Sequence, residues 1–97
     1  MELQKAQVYE QIKEYFTGKP VKKVFMFGSF SRNEEKNNSD IDIIIQTSHP
    51  IGLIALGNYV ADLEEITSRK IDLATHNSLT PEFLSLIQKD LKEVYAA

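Results

Sequence analysis

The chain has 97 residues, of which 42% are hydrophobic and 26% are charged, and its formal net charge is -3. This size and composition favour one compact domain spanning residues 1–97 and argue against intrinsic disorder. The slightly acidic balance argues against nucleic acid as the main partner, and the absence of cysteine excludes disulfides and cysteine-based zinc sites.

No segment approaches the roughly 20 consecutive apolar residues that a membrane-spanning helix needs. The first residues, Met1 to Lys5, lack the apolar run of a signal peptide. We therefore expect a cytoplasmic protein with no membrane association. The lack of cysteine fits a reducing compartment.

The N-terminal third predicts a helix followed by a strand. Apolar residues recur mostly at three- and four-residue spacing over residues 2–16, which predicts an amphipathic helix that Gly18 and Pro20 end. Residues 21–27 are short, β-branched and aromatic, and predict a strand that Gly28 closes.

The middle of the chain predicts a second strand and a second helix. Residues 31–39 are polar and predict a short helical turn and a loop. Residues 41–45 are nearly all isoleucine, which is typical of a strand buried on both faces. Pro50 is placed to open a helix. Apolar residues that step by three and four from Leu53 to Ile66 predict the buried stripe of that helix, which extends to about Ser68.

The last third predicts one more strand and one more helix. Residues 70–75 form a short strand pattern that contains Asp72. Thr80 and Pro81 are typical of a helix N-cap and first helical position. The predicted buried stripe of that helix consists of Phe83, Leu84, Ile87 and Leu91. The fold class is therefore α/β, of the α+β type.

Three acids lie at or near the starts of two predicted strands: Asp40 and Asp42 on the second, and Asp72 on the third. Because side chains two apart on a strand point to the same face, Asp40 and Asp42 share a face. Adjacent carboxylates repel, and Mg²⁺ relieves this repulsion by taking oxygen ligands from carboxylates and substrate phosphates. Two such ions can clamp the attacking and leaving oxygens of a phosphoryl-type displacement.

Gly28 and Ser29 have the features of a phosphate-binding turn. Glycine allows close approach of the backbone to a ligand. A helix that starts near Ser29 directs free N–H groups towards a triphosphate, and the serine hydroxyl adds a donor. Arg32 can reach the same phosphates with its planar guanidinium, although a surface charge explains it equally well.

These groups meet only in one sheet topology. Gly28 follows the first strand and Asp40 precedes the second, so these two strands must be antiparallel. Asp72 must reach the start of the second strand, so the second and third strands must be parallel and joined by a helical crossover. We therefore predict a small mixed sheet, flanked by helices, with the site at one edge.

The sequence Gly28-Ser29-Phe30-Ser31-Arg32, followed by Ser39-Asp40-Ile41-Asp42, resembles the Gly-Ser, ten residues, Asp-x-Asp signature of polymerase β-type nucleotidyltransferases. Lys70-Ile71-Asp72-Leu73 is similar to the third carboxylate strand of that superfamily. The short chain resembles the minimal nucleotidyltransferase (MNT) antitoxins that pair with helical HEPN toxins. Asn33 departs from the glycine of many relatives, and we expect it to alter the loop and not the chemistry.

The resemblance implies a role for each group. Gly28 and Ser29 hold the nucleoside triphosphate, with Arg32 as a further phosphate contact. Asp40 and Asp42 bind Mg²⁺ (two ions), and Asp72 completes the metal site or helps to deprotonate the acceptor hydroxyl.

The expected protein is then a Mg²⁺-dependent nucleotidyltransferase that transfers AMP from ATP to a tyrosine hydroxyl of a HEPN toxin. The alternative is an antitoxin that neutralises its toxin by direct contact, without catalysis. A third interpretation, modification of RNA or of a small molecule, is disfavoured for RNA by the acidic balance.

Overall fold

Helices and strands alternate along most of the chain in the computed structural model, which describes residues 5–28 and 40–97. The elements in chain order are α1 (Lys5–Phe16), β1 (Val21–Phe27), β2 (Ile41–Thr47), α2 (Leu53–Thr67), β3 (Ile71–Thr75), a 3₁₀ turn (His76–Ser78), α3 (Pro81–Ile87), a second 3₁₀ turn (Gln88–Asp90) and β4 (Lys92–Ala96). The short helical turn predicted between Ser31 and Ser39 lies outside the described residues.

The strands form one mixed sheet in the order β3-β2-β1-β4. β1 is antiparallel to β2, with Phe27 opposite Asp42. β2 is parallel to β3, with Ile41 opposite Ile71, and α2 makes the crossover between them. Both predicted strand relationships are confirmed. The end of β1 and the starts of β2 and β3 therefore meet at one edge of the sheet.

The predicted end of the last helix is wrong. Its start is confirmed, because the Thr80 hydroxyl accepts a hydrogen bond of 3.1 Å from the backbone N–H of Phe83. However, α3 ends at Ile87, and Leu91 precedes a fourth strand that was not predicted. None of the residues of α3 is fully buried, so the predicted buried stripe is also wrong. β4 pairs antiparallel with β1. The two strands are more than 60 residues apart in the sequence, so their pairing produces no local sequence pattern.

The hydrophobic core lies between one face of the sheet and the helices α1 and α2. Its fully buried members include Val8, Ile12 and Phe16 of α1, Ile41, Ile43 and Ile45 of β2, and Leu63 of α2. Ile44, which points to the opposite face, is also buried, so the prediction that β2 is buried on both faces is confirmed for its central part. None of the helices in the described ranges has both the length and the apolar character that a membrane crossing needs.

The buried stripe predicted on α2 is only partly correct. Leu63 is buried, but Leu53 is 86% exposed and Ile66 is 40% exposed. Tyr59 and Thr67 are buried instead, so the face that contacts the core is rotated towards these positions. The buried Thr67 hydroxyl has a hydrogen-bond partner, because it donates a bond of 2.8 Å to the Leu63 carbonyl.

A polar contact joins α1 to α2 at the edge of this core. The Tyr15 hydroxyl donates a hydrogen bond of 2.6 Å to the Asp62 carboxylate. The Tyr15 ring packs edge-on against Phe16 and Tyr59. Desolvation of the hydroxyl raises the pKa of Tyr15 well above its ordinary value, and the hydrogen bond to the negatively charged Asp62 raises it further.

We expect Tyr15→Phe to lower the free energy of unfolding by about 1 kcal/mol at neutral pH, because the ring packing is kept and one hydrogen bond is lost. The pKa of Tyr15 is raised in the folded protein above the ordinary value of 10.0. The contribution of Tyr15 to the free energy of unfolding is therefore complete below about pH 10 and is lost as the pH rises through the pKa of the folded state. Urea unfolding of both proteins should show a constant difference up to about pH 9 and a smaller one above about pH 10. A difference that stays constant at the higher pH would contradict the contact.

Candidate active site

The backbone of Gly28 lies directly against the carboxylate of Asp42. Gly28 has a φ of +82°, in the left-handed region that side chains rarely adopt. A Cβ atom added to Gly28 would lie 2.5 Å from Asp42 Oδ2, which is closer than real Cβ atoms approach. The backbone conformation therefore favours glycine at this position, and any larger residue would also displace the Asp42 carboxylate.

The three predicted acids lie at the same edge of the sheet. Asp42 and Asp72 occupy paired positions on the parallel strands β2 and β3, and neighbouring strands are separated by about 4.8 Å. Asp40 lies two residues before Asp42. The N–H of Ile41 donates a hydrogen bond of 2.9 Å to the Lys70 carbonyl, which fixes the starts of both strands side by side. Asp40 and Asp72 are exposed and Asp42 is partly buried, so a ligand in solvent can reach all three side chains.

The three acids do not form a ready metal-binding cluster. Among the described residues, no group of three His, Cys, Asp or Glu side chains is arranged to hold a metal ion. Like charges on adjacent strands repel, so we expect these side chains to turn towards one point only around a cation. The donor set of three carboxylates on a fixed backbone edge fits Mg²⁺, which prefers carboxylate and phosphate oxygens. Because Gly28 has no Cβ, the space next to the Asp42 carboxylate stays open on that side.

The other two predicted site residues, Ser29 and Arg32, lie outside the described residues. Their roles as phosphate contacts therefore stay predictions. Of the nucleotide-binding residues predicted, the structure describes Gly28, which it brings to Asp42.

A small cavity adjoins Asp72 on the sheet face that is turned away from α1 and α2. It has a volume of about 220 Å³ and is lined by Phe27, Ile43, Ile44, Asp72, Ala74, Leu79 and Phe83. The rings of Phe27 and Phe83 meet edge-on, with centroids 6.3 Å apart. The sequence did not predict this cavity, because its walls come from β1, β2, β3, α3 and Leu79 in the segment before α3. Phe83, which was predicted to be buried, is 38% exposed at this site.

Comparison with known proteins identifies relatives in sequence. The profile of the family described as "Polymerase beta, Nucleotidyltransferase" matches residues 10–97. The candidate protein adenylyltransferase MJ0126 of Methanocaldococcus jannaschii is 47% identical over 75 residues, which cover 73% of this chain and 74% of that protein. The range matched by the family profile includes the Gly28, Asp40, Asp42 and Asp72 positions.

Solved structures with the same fold include two toxin–antitoxin structures. A crystal structure of a toxin–antitoxin with AMP-PNP matches with a TM-score of 0.77 at 19% identity, over 98% of this chain and 75% of the matched chain. The structure of the tri-AMPylated Shewanella oneidensis HEPN toxin in complex with its MNT antitoxin matches with a TM-score of 0.76 at 17% identity, over 97% of this chain and 74% of the matched chain. At these identities the similarity is one of fold.

Proposed function

Since this chain belongs to the polymerase β nucleotidyltransferase family, we propose that it transfers AMP from ATP to a tyrosine hydroxyl of a HEPN-type partner and so acts as its antitoxin. The observation that carries the proposal is the contact of Gly28 with Asp42, which is itself paired with Asp72 across two parallel strands. The name of MJ0126 supports a protein acceptor. The tri-AMPylated toxin of the Shewanella oneidensis pair supports a HEPN toxin as that acceptor.

The order of the strands gives the site a direction. Gly28 directly follows β1 on one side of Asp42, and Asp72 lies near the start of β3 on the other side. We assign the β- and γ-phosphates of ATP to the Gly28 side, with Ser29 and Arg32 as further contacts predicted from sequence. The acceptor hydroxyl then approaches from the Asp72 side, opposite the leaving group, as in-line displacement requires.

The reaction forms one bond and breaks one. The acceptor oxygen attacks the α-phosphorus of ATP, and the bond from that phosphorus to the oxygen bridging the α- and β-phosphates breaks. Pyrophosphate leaves, and AMP stays on the acceptor oxygen. We assign the uptake of the hydroxyl proton to Asp72, whose carboxylate is exposed.

Asp40 and Asp42 would hold Mg²⁺, which when bound neutralises phosphate charge. The protein contributes positions more than covalent chemistry, because phosphoryl-type transfer depends chiefly on orientation and charge stabilisation. The paired starts of β2 and β3, which hold Asp42 and Asp72 in register, support this assignment.

The proposal predicts where a radioactive label goes. When the protein is incubated with Mg²⁺ and its proposed HEPN-type partner, α-labelled ATP should transfer label to that partner. γ-labelled ATP should transfer none, since the γ-phosphate leaves with pyrophosphate. Chelation by EDTA should stop the transfer, and mass spectrometry should find AMP on a tyrosine. Absence of label from both forms of ATP would contradict the proposed reaction, and transfer of the γ-label would indicate a kinase.

A further inference from the structure

We propose that the 220 Å³ cavity beside Asp72 receives the phenol ring of the acceptor tyrosine. This inference rests on the proposed function and specifies which part of the site recognises the acceptor. We call this space, lined by Phe27, Ile43, Ile44, Asp72, Ala74, Leu79 and Phe83, the acceptor cavity.

The acceptor cavity lies on the correct side of the site. Asp42, Ile44, Asp72 and Ala74 point to the same sheet face, because they alternate along two strands paired in register. The cavity therefore opens on the face that carries the acids, and its charged lining residue is Asp72. A ring that enters it can place its hydroxyl at the carboxylate from which the incoming nucleophile is expected.

The size of the acceptor cavity suits one aromatic ring. Its volume of about 220 Å³ is below the roughly 300–1,000 Å³ typical of pockets that enclose a drug-sized ligand. A whole nucleoside is therefore a poor fit. Phe27 and Phe83 meet edge-on at 6.3 Å, within the range at which aromatic rings attract each other, so a phenol ring entering the cavity has two aromatic rings to pack against.

The lining also favours a phenol over a nucleobase. Apart from Asp72, the lining side chains are apolar. A nucleobase has several polar edge atoms, and burying them without partners is costly. A phenol has a single hydroxyl, and the Asp72 carboxylate can accept its hydrogen bond.

An apolar surface adjoins the mouth of the acceptor cavity. Leu86 lies one turn beyond Phe83 on α3 and is 79% exposed, while Phe83 is 38% exposed. Residues three apart lie on the same side of a helix. A protein that presents a tyrosine can cover this surface around the buried ring, as anchor residues at interfaces are commonly surrounded by contacts that exclude water.

Ala74→Leu tests the proposal because the larger side chain occupies the cavity from β3. Ala61→Leu makes the same chemical change on the exposed surface of α2 and is the matched control. The probes are N-acetyltyrosinamide and adenosine, titrated into the protein while amide resonances are followed by NMR. AMP-PNP with Mg²⁺ is titrated in parallel to report on the nucleotide site.

We expect N-acetyltyrosinamide to shift the resonances of Leu79 and Phe83 in the wild type and in Ala61→Leu. Ala74→Leu should weaken this binding by about tenfold or more. If thermal unfolding shows that Ala74→Leu is not folded, Phe83→Ala replaces it, because removing that ring from a partly exposed wall should also weaken phenol binding.

Three outcomes would overturn the proposal that the acceptor cavity receives a phenol ring. The first is no binding of N-acetyltyrosinamide to the wild type, and the second is equal binding to the folded Ala74→Leu protein. The third is a shift of the Leu79 and Phe83 resonances by adenosine instead of N-acetyltyrosinamide. Failure of AMP-PNP to bind is a separate result. It would count against the proposed function while the phenol titration still decides whether the cavity accepts an aromatic ring.

Discussion

Replacing Asp42 by asparagine should lower the rate of AMP transfer by about 10³-fold, or about 4 kcal/mol of transition-state stabilisation. Asp42 is the acid at the centre of the site, since it touches the Gly28 backbone position on one side and is paired with Asp72 on the other. Asparagine keeps the shape of the side chain but removes the charge that a hard cation and its bound phosphates require. The effect is therefore expected on catalysis and not on folding.

The control for this variant is Glu65→Gln, which also removes one carboxylate charge but lies exposed on α2, away from the acid edge. It should transfer AMP at the wild-type rate. Thermal unfolding should show Asp42→Asn to be folded, with a stability within about 1 kcal/mol of the wild type, because the substitution keeps the size and shape of the side chain. Transfer by Asp42→Asn at more than a tenth of the wild-type rate would refute the site assignment.

The same variant separates catalysis from neutralisation by direct contact. An enzyme slowed about 10³-fold leaves most of the toxin unmodified in the time that the wild type needs to modify all of it. Full inhibition of the toxin by equimolar Asp42→Asn would therefore favour the non-catalytic antitoxin. Inhibition by trace amounts of the wild type, but not of the variant, would favour AMP transfer.

The sheet around the site could be predicted largely from local patterns. Residues 21–27 form β1 with the predicted bounds, and the isoleucine-rich segment forms β2. The relative directions of the strands followed from one requirement, that Gly28, Asp40 and Asp72 meet at one edge. Because crossover connections follow strong rules, that requirement left few topologies.

The errors occur where distant contacts decide the structure. The start of the β4 region was interpreted as the end of a helix because Ile87 and Leu91 continue a four-residue spacing. The pairing of β4 with β1 provides backbone hydrogen bonds that no local pattern reports. Leu53 is exposed for a related reason: periodicity predicts that one side of α2 is apolar but does not define how far the core extends beneath it.

The site shows a similar division. The spacing of the acids and the turn predicted which residues belong to one edge, but the role of Gly28 is more specific than the sequence indicated. Close approach to a ligand was the expected reason for glycine. In the structure, the space beside its Cα is occupied by the carboxylate of Asp42.

Gly28→Ala should therefore lower the rate of AMP transfer by about 10²-fold, because displacement of a positioning group by about 1 Å can cost that much. The added Cβ would lie 2.5 Å from Asp42 Oδ2, so the carboxylate or the strand end must move. Gly18→Ala is the matched control, since Gly18 also has a positive φ, of +90°, but no atom beyond its two chain neighbours lies within 4 Å of its added Cβ. Both variants should lose about 1 kcal/mol of stability from backbone strain, and only Gly28→Ala should lose activity.

A double-mutant cycle identifies the contact responsible. If Gly28→Ala acts by displacing the Asp42 carboxylate, adding it to Asp42→Asn should cause little further loss of transfer, because the group it displaces is already inactive. If the fold-loss of transfer rate in the double variant equals the product of the two single losses, Gly28 acts independently of Asp42, through its approach to the triphosphate. A loss of activity in Gly18→Ala equal to that in Gly28→Ala would show that backbone strain alone explains the effect. The three results thus distinguish a glycine that makes room for an acid from one that makes room for a substrate.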